Sequence, residues 1–231
     1  MITNNRCFTK PTLINPTGIM IHSVGCAQPV KEVFINQWNS QSAQVSVHAI
    51  ADDKGVAQLL PYNYKAWHCG GSGNNNLLSI EITEPKNMIY IDGKLTSYYA
   101  PDGFNHFRKA VSNAVKWTVE RCLEFNILVD NIITHADGYK LGVASNHGDP
   151  DHWWKYHNYT IDDFRQEVYN MINSDIRYHT LEEVPDYFKP YIKKLMDKGY
   201  LKGTNGDLDL SMDMIRTLVI TGRMVGIFYE L

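Results

Sequence analysis

Two short apolar runs in this chain each end on a histidine. Gly18-Ile-Met-Ile-His22 has the length and β-branched content of a buried strand, and Ile132-Ile-Thr-His135 repeats the pattern far downstream. A chain with such runs is expected to fold around a sheet whose inner strands carry imidazoles to their ends. A third donor would come from the turn-rich segment Ser145-Asn-His-Gly-Asp-Pro-Asp-His152, which offers His147, Asp149, Asp151 and His152. Spacing alone does not choose among these four. Two imidazoles and a carboxylate with one open position form the donor pattern of a catalytic zinc site, whereas structural zinc sites are closed by four protein ligands.

Length and charge narrow the class of protein. With 231 residues, 44% hydrophobic and 20% charged, the chain suits one moderate domain and a small appendage. A formal charge of −3 and a pI near 6.3 give no electrostatic reason to expect nucleic acid. Cys7, Cys26, Cys69 and Cys122 are scattered without a CxxC pair, so reduced, mostly buried thiols are expected rather than a zinc ribbon or a disulfide framework. The amino terminus has no apolar signal region, and no window approaches a transmembrane run, so no membrane insertion is expected. The expectation is synthesis in the cytoplasm without a signal peptide.

Further elements follow from periodicity. Pro29 to Trp38 reads as a helix with Pro29 in its first turn, and Gln44 to Ala51 as a strand turning at Asp52-Asp-Lys-Gly55 into Val56 to Leu60. Leu77 to Thr83 is another apolar strand, after the irregular Gly70 to Asn76 loop. Asp102 to Phe125 carries a helical stripe that includes Phe107, Val111, Ala114, Val115 and Cys122. Two domains are expected, 1–175 and 181–231. In the second, Asp186 to Lys198 forms a helix ending at Gly199, and Ser211 caps another that runs through Arg223.

The fragments Ile19-Met-Ile-His22, Val45-Ser-Val-His-Ala-Ile-Ala-Asp-Asp-Lys-Gly55, Ala66-Trp-His68, Ser79-Ile-Glu81, Thr134-His135 and Asp149-Pro150 occur in this order. In that order they resemble the type 2 N-acetylmuramoyl-L-alanine amidases, the zinc amidase family that includes animal peptidoglycan recognition proteins. The resemblance implies an α/β fold, a central mixed β-sheet flanked by helices, with Zn2+ in a shallow groove. It implies His22 and His135 as metal ligands, with Asp149 in a third position that the family fills with cysteine or aspartate before proline. Glu81 matches the acidic residue of the family's Ile-Gly-Ile-Glu segment and is expected to act as general base and acid. His147 stands where many relatives carry lysine and is expected to stabilise the oxyanion. His68 and Trp67 are expected to touch substrate, with Tyr62 and Tyr64 nearby as further faces for sugar rings. His48 is expected to be a sheet histidine supporting the site. The chain departs from the family pattern at Ser79, where glycine is usual, and at Asp151, where glycine often follows Asp-Pro.

By this resemblance the expected activity is hydrolysis of the amide between N-acetylmuramic acid and L-alanine in bacterial peptidoglycan. The segment Tyr191 to Gly203 is similar to S-layer-homology-type helix pairs on the tails of clostridial phage endolysins, which implies cell-wall binding. The expected role is therefore a phage or prophage endolysin that reaches the wall after holin-mediated release. The alternatives are a host autolysin of the same chemistry and a noncatalytic peptidoglycan-binding module, the latter disfavoured by retention of Asp149 and Glu81. Two short helices bury little core alone, so the tail is otherwise expected to form a homo-oligomer or to pack on the first domain.

Overall fold

β1 (Gly18–Ser23) is buried along its whole length, which explains its unbroken apolar run: a strand covered on both faces needs no polar alternation. It pairs in parallel with β4 (Leu77–Ile82) on one side and β7 (Ile132–Thr134) on the other. β2 (Ala49–Asp52) joins β4 in parallel and turns back antiparallel into β3 (Gly55–Gln58). The result is a mixed five-stranded sheet of order β3-β2-β4-β1-β7. In this computed structural model residues 1–174 and 176–228 are described, and the expected domain boundary at Asp175 lies outside them.

Helices cover the sheet as expected. α1 (Arg6–Thr9) and α2 (Lys31–Trp38) precede β2, and Phe34 and Trp38 of α2 are buried in a core with Ile50 and Leu59. α3 (Ala100–Phe125) packs along β2, β3 and β4 through the stripe that includes Phe107, Val111, Ala114 and Val115. It begins two residues before the expected start because Pro101 occupies its first turn, where a missing N–H costs nothing. α4 (His135–Lys140), α5 (Asp151–Trp154) and α6 (Ile161–Ser174) complete the helical elements around this sheet.

Two local differences from the sequence expectation have clear causes. The strand read over Gln44 to Ala51 starts only at Ala49. At His48 the imidazole Nδ1 accepts the Ser79 N–H at 3.0 Å, taking a donor that a ladder carbonyl would otherwise use. A hairpin unforeseen in the sequence reading, β5 (Met88–Ile91) and β6 (Lys94–Tyr98), lies between β4 and α3. Its tip, Asp92-Gly93, has both residues in the left-handed region, at φ 48° and 72°, as a tight two-residue turn requires.

The chain divides into two compact units, Met1–Val168 and Tyr169–Leu231. In the second, β8 (Arg177–Tyr178) pairs antiparallel with β9 (Leu210–Ser211), an addition to the expected helix pair. α7 (Lys189–Asp197) starts three residues later than expected, because Pro185 to Phe188 closes a turn. α8 (Met212–Met224) is capped by Ser211, whose Oγ accepts the Met214 N–H at 3.2 Å. Ile192, Leu195, Leu210 and Ile215 form a small core of its own.

Candidate metal centre

The site is assembled at the carboxyl ends of three adjacent parallel strands, the usual place for ligand chemistry in such sheets. His22 of β1 is the register partner of Glu81 on β4, so both side chains leave the same face of the sheet. Thr134, the last residue of β7, pairs with Ile21 and caps α4: its Oγ accepts the Asp137 N–H at 3.1 Å, and Asp137 Oδ2 accepts the Thr134 N–H at 3.4 Å. This reciprocal cap fixes His135 as the first residue of the helix, beside His22.

The structure brings His22, His135 and Asp149 together. Nδ1 of His22 lies 3.1 Å from Asp149 Oδ2 and 3.1 Å from Nδ1 of His135, which is 3.3 Å from Asp149 Oδ1. Tetrahedral ligands at roughly 2.0–2.1 Å from zinc stand about 3.3 Å from one another, so donor type and spacing both fit zinc. The backbone N–H of Ser23 holds Asp149 Oδ2 at 3.3 Å. Burial pushes the Asp149 carboxyl upward, but hydrogen bonds from His135 and His22 outweigh it and hold the group well below the carboxylate range. Burial likewise lowers His22, which favours the neutral ring a metal needs.

The other loop candidates point elsewhere. Asp151 Oδ2 accepts from Thr134 Oγ at 3.4 Å, and His152 Nε2 lies 2.7 Å from the Tyr90 hydroxyl. His147 is exposed at the rim with its ring 4.8 Å from that of His135, and Ser145 Oγ bridges the two, 3.0 Å from His147 Nδ1 and 3.4 Å from His135 Nε2.

Glu81 is buried, and its Oε2 has no hydrogen-bond partner among the described residues. Burial first, then the negative charges of Asp149 and Glu84, raise its carboxyl well above the usual range. Such a group holds a proton readily and gives it up when a cation enters beside it.

His68 and Trp67, expected to touch substrate, stand beside His22 and beside the Phe34–Trp38 cluster respectively. His68 is buried and its Nδ1 lies 2.9 Å from Nε2 of His22, on the opposite side of that ring from Asp149. Asn74 fixes this position by accepting the N–H groups of His68 and Cys69, each at 3.0 Å. Trp67 is half-buried, packs on the cluster of Phe34 and Trp38, and carries Arg6 at 5.6 Å over its ring. Tyr62 is engaged by Trp117 and Arg121, and Tyr64 by Phe8. His48 lies one residue before β2, bonded to β4 through the Ser79 N–H, with its Nε2 2.8 Å from the Tyr64 carbonyl.

Glu84 is a member of this region unmarked by any spacing in the sequence. It is fully buried two residues beyond β4, and its Oε1 accepts from Ser23 Oγ at 2.7 Å and from the Gly25 N–H at 3.0 Å. Its Oε2 accepts the Tyr90 hydroxyl. It thereby anchors the end of the strand that carries His22.

Residues 12–152 match the family model described as N-acetylmuramoyl-L-alanine amidase, a span that includes every residue of the donor set and Glu81. The chain belongs to the N-acetylmuramoyl-L-alanine amidase family. Among curated amidases it is similar to the N-acetylmuramoyl-L-alanine amidase CwlA of Bacillus sp., with 31% identity over 134 residues, covering 55% of this chain and 46% of that protein. It is also similar to the bifunctional autolysin of Staphylococcus aureus, 22% identical over 166 residues, covering 68% of this chain and 12% of that protein. The chain thus spans under half the length of these relatives. Among solved structures, PlyL matches at a TM-score of 0.53 with 24% identity, over 70% of this chain and 90% of that one. The Staphylococcus aureus hydrolase AmiA matches at 0.55 with 19% identity, over 67% and 71%. These two likenesses concern the amidase fold, and they agree with the mixed sheet and flanking helices described above.

Proposed function

We propose that this chain hydrolyses the amide between N-acetylmuramic acid and L-alanine in bacterial peptidoglycan, using Zn2+ held by His22, His135 and Asp149. The observation that most supports this reading is the convergence of the two Nδ1 atoms and the Asp149 carboxylate beside the cross-strand neighbour Glu81, within the amidase match. Zinc supplies Lewis-acid chemistry, polarising an amide carbonyl and making water a nucleophile at neutral pH.

The remaining work falls to side chains. Glu81, as the carboxylate, takes the proton of the attacking water and returns it to the leaving nitrogen of alanine. Its raised proton affinity suits the return step. His147, at the exposed rim, donates an N–H to the oxygen that gains charge. His68 holds the Nε2 side of His22, leaving Nδ1 as the electron-pair donor. The part-buried Asp149 carboxylate offsets part of the cation's charge.

Of the biological roles open to such an enzyme we infer that of a phage or prophage endolysin, supported by the similarity of Tyr191 to Gly203 to clostridial phage endolysin tails. The second unit is then a wall-binding domain. A host autolysin shares the chemistry. The test of the activity is to digest purified walls, label newly exposed amines and identify the terminal residue by mass spectrometry. New L-alanine termini are expected; new reducing sugars in their place would sink the proposal.

A further inference from the structure

Both strands of the β5–β6 hairpin are tied to the segment that follows Asp149. On β5, the Tyr90 O–H donates to Glu84, so Nε2–H of His152 donates to the phenolic oxygen at 2.7 Å. On β6, the Tyr98 hydroxyl lies 2.8 Å from Nε2 of His157, whose ring stacks on Phe107 at 3.9 Å between centroids. Burial lowers His157 to about 4, which leaves it neutral at pH 7 and able to accept the Tyr98 O–H. Two tyrosine–histidine bonds thus hold the hairpin as a fixed wall facing the metal loop.

Between this wall and the loop lies a cavity of about 330 Å³, within the range of small-ligand sites. Its lining includes Gly25, Lys94 at the hairpin tip, Leu95, His147, Asp149 and Lys155. The charge of this lining is uneven. Asp149 is its one carboxylate and is committed to His22 and His135. Lys94 and Lys155 are exposed, and neither has a carboxylate partner among the described residues; Lys155 Nζ rests 5.5 Å over the Tyr156 ring. Two unpaired ammonium groups therefore border a cavity that adjoins the proposed reacting centre.

We propose that this cavity is a carboxylate subsite, in which Lys94 and Lys155 take a free carboxylate of the peptide close to the scissile amide. The sugar side of such a substrate offers neutral hydroxyls, whereas the peptide side offers carboxylates, and only the latter match a lining with two ammonium groups. The inference rests on the proposed amidase activity and adds a selectivity to it: stems whose residue next to L-alanine carries a free α-carboxylate are preferred over stems amidated there.

Two muropeptides identical except for that carboxylate or carboxamide test it, with the full chain loaded with zinc. Wild-type enzyme is expected to show a KM about tenfold lower for the carboxylate form, the scale of one charge-assisted hydrogen bond. The Lys94→Ala/Lys155→Ala variant is expected to bring the ratio of the two KM values close to one, and 0.5 M salt to shrink the wild-type ratio in the same direction. Cleavage of both substrates by the wild type with equal KM would overturn the subsite while leaving the amidase reading intact. A ratio in the double variant equal to that of the wild type would overturn it as well. Failure to cleave either substrate would instead reject the activity on which it rests.

Discussion

His22 and His68 meet ring to ring through Nε2 and Nδ1 at 2.9 Å, with both side chains buried. A ligand histidine whose second nitrogen is held keeps one tautomer and one ring orientation, and loss of such a partner typically weakens metal affinity about 10–100-fold. His68→Ala is expected to weaken zinc binding by that order in a competition titration with a chromophoric chelator. Unchanged affinity would remove His68 from the metal site and return it to a packing role.

Glu81 is a buried carboxyl on the strand position paired with His22. Glu81→Gln keeps its size and is expected to retain one zinc per chain by elemental analysis while lowering kcat by about 10²–10⁴, the usual worth of a general acid–base group. Near-full lysis in a turbidity assay would overturn the assignment.

His48 makes a prediction about acid. Burial lowers its imidazole to about 4, and the Tyr64 carbonyl only partly offsets this. Between roughly pH 6.5 and 4 the unfolded chain binds a proton there that the native chain does not, so stability falls as pH falls, by up to about 3 kcal/mol from this group. The His48→Asn variant, less stable at pH 7 for want of the same bonds, is expected to lose less stability between pH 7 and 4.5 in urea titrations. Parallel pH profiles for the two proteins would contradict this.

Asp52 closes the β2–β3 turn by accepting the N–H groups of Lys54 at 2.9 Å and Gly55 at 3.1 Å, and it pairs with Lys31 at 2.8 Å. Burial pushes its carboxyl up, but Lys31 and the turn amides outweigh that and leave it lowered. Its contribution is therefore complete above the ordinary carboxylate range and is lost as pH falls through the folded value. Asp52→Asn is expected to cost roughly 2–4 kcal/mol at pH 7, with the difference narrowing in acid. A pH-independent difference would assign the effect to packing.

The second unit has its own small core, and its removal tests the proposed wall-binding role. Deleting residues 176–231 is expected to weaken sedimentation with purified walls far more than cleavage of a soluble muropeptide. Equal loss of both would point to a stabilising role for the tail.

Much of the sheet was legible because buried strands advertise themselves as continuous apolar runs, as in Ile19 to Ile21 and Leu77 to Ile82. His22 and His135 were legible because each closes such a short apolar run, Gly18 to Ile21 and Ile132 to Thr134. Placement of His68 was not, since its partner His22 is distant in sequence and nothing in Trp-His-Cys marks a ring as buried. Glu84 was missed because its partners Ser23, Gly25 and Tyr90 converge only in three dimensions. The β5–β6 hairpin left one usable signal, Asp92-Gly93, but strands with exposed Ile89 and Ile91 lack the burial pattern that would have supported it.

The cross-strand pairing of His22 with Glu81 has an evolutionary consequence. Both residues ride on adjacent, fully buried strands, where a one-residue slip of either strand would carry its functional side chain to the opposite face of the sheet. The cavity wall, by contrast, is a surface hairpin inserted between β4 and α3. That hairpin can therefore be lengthened or recharged without disturbing the strands that carry His22 and Glu81.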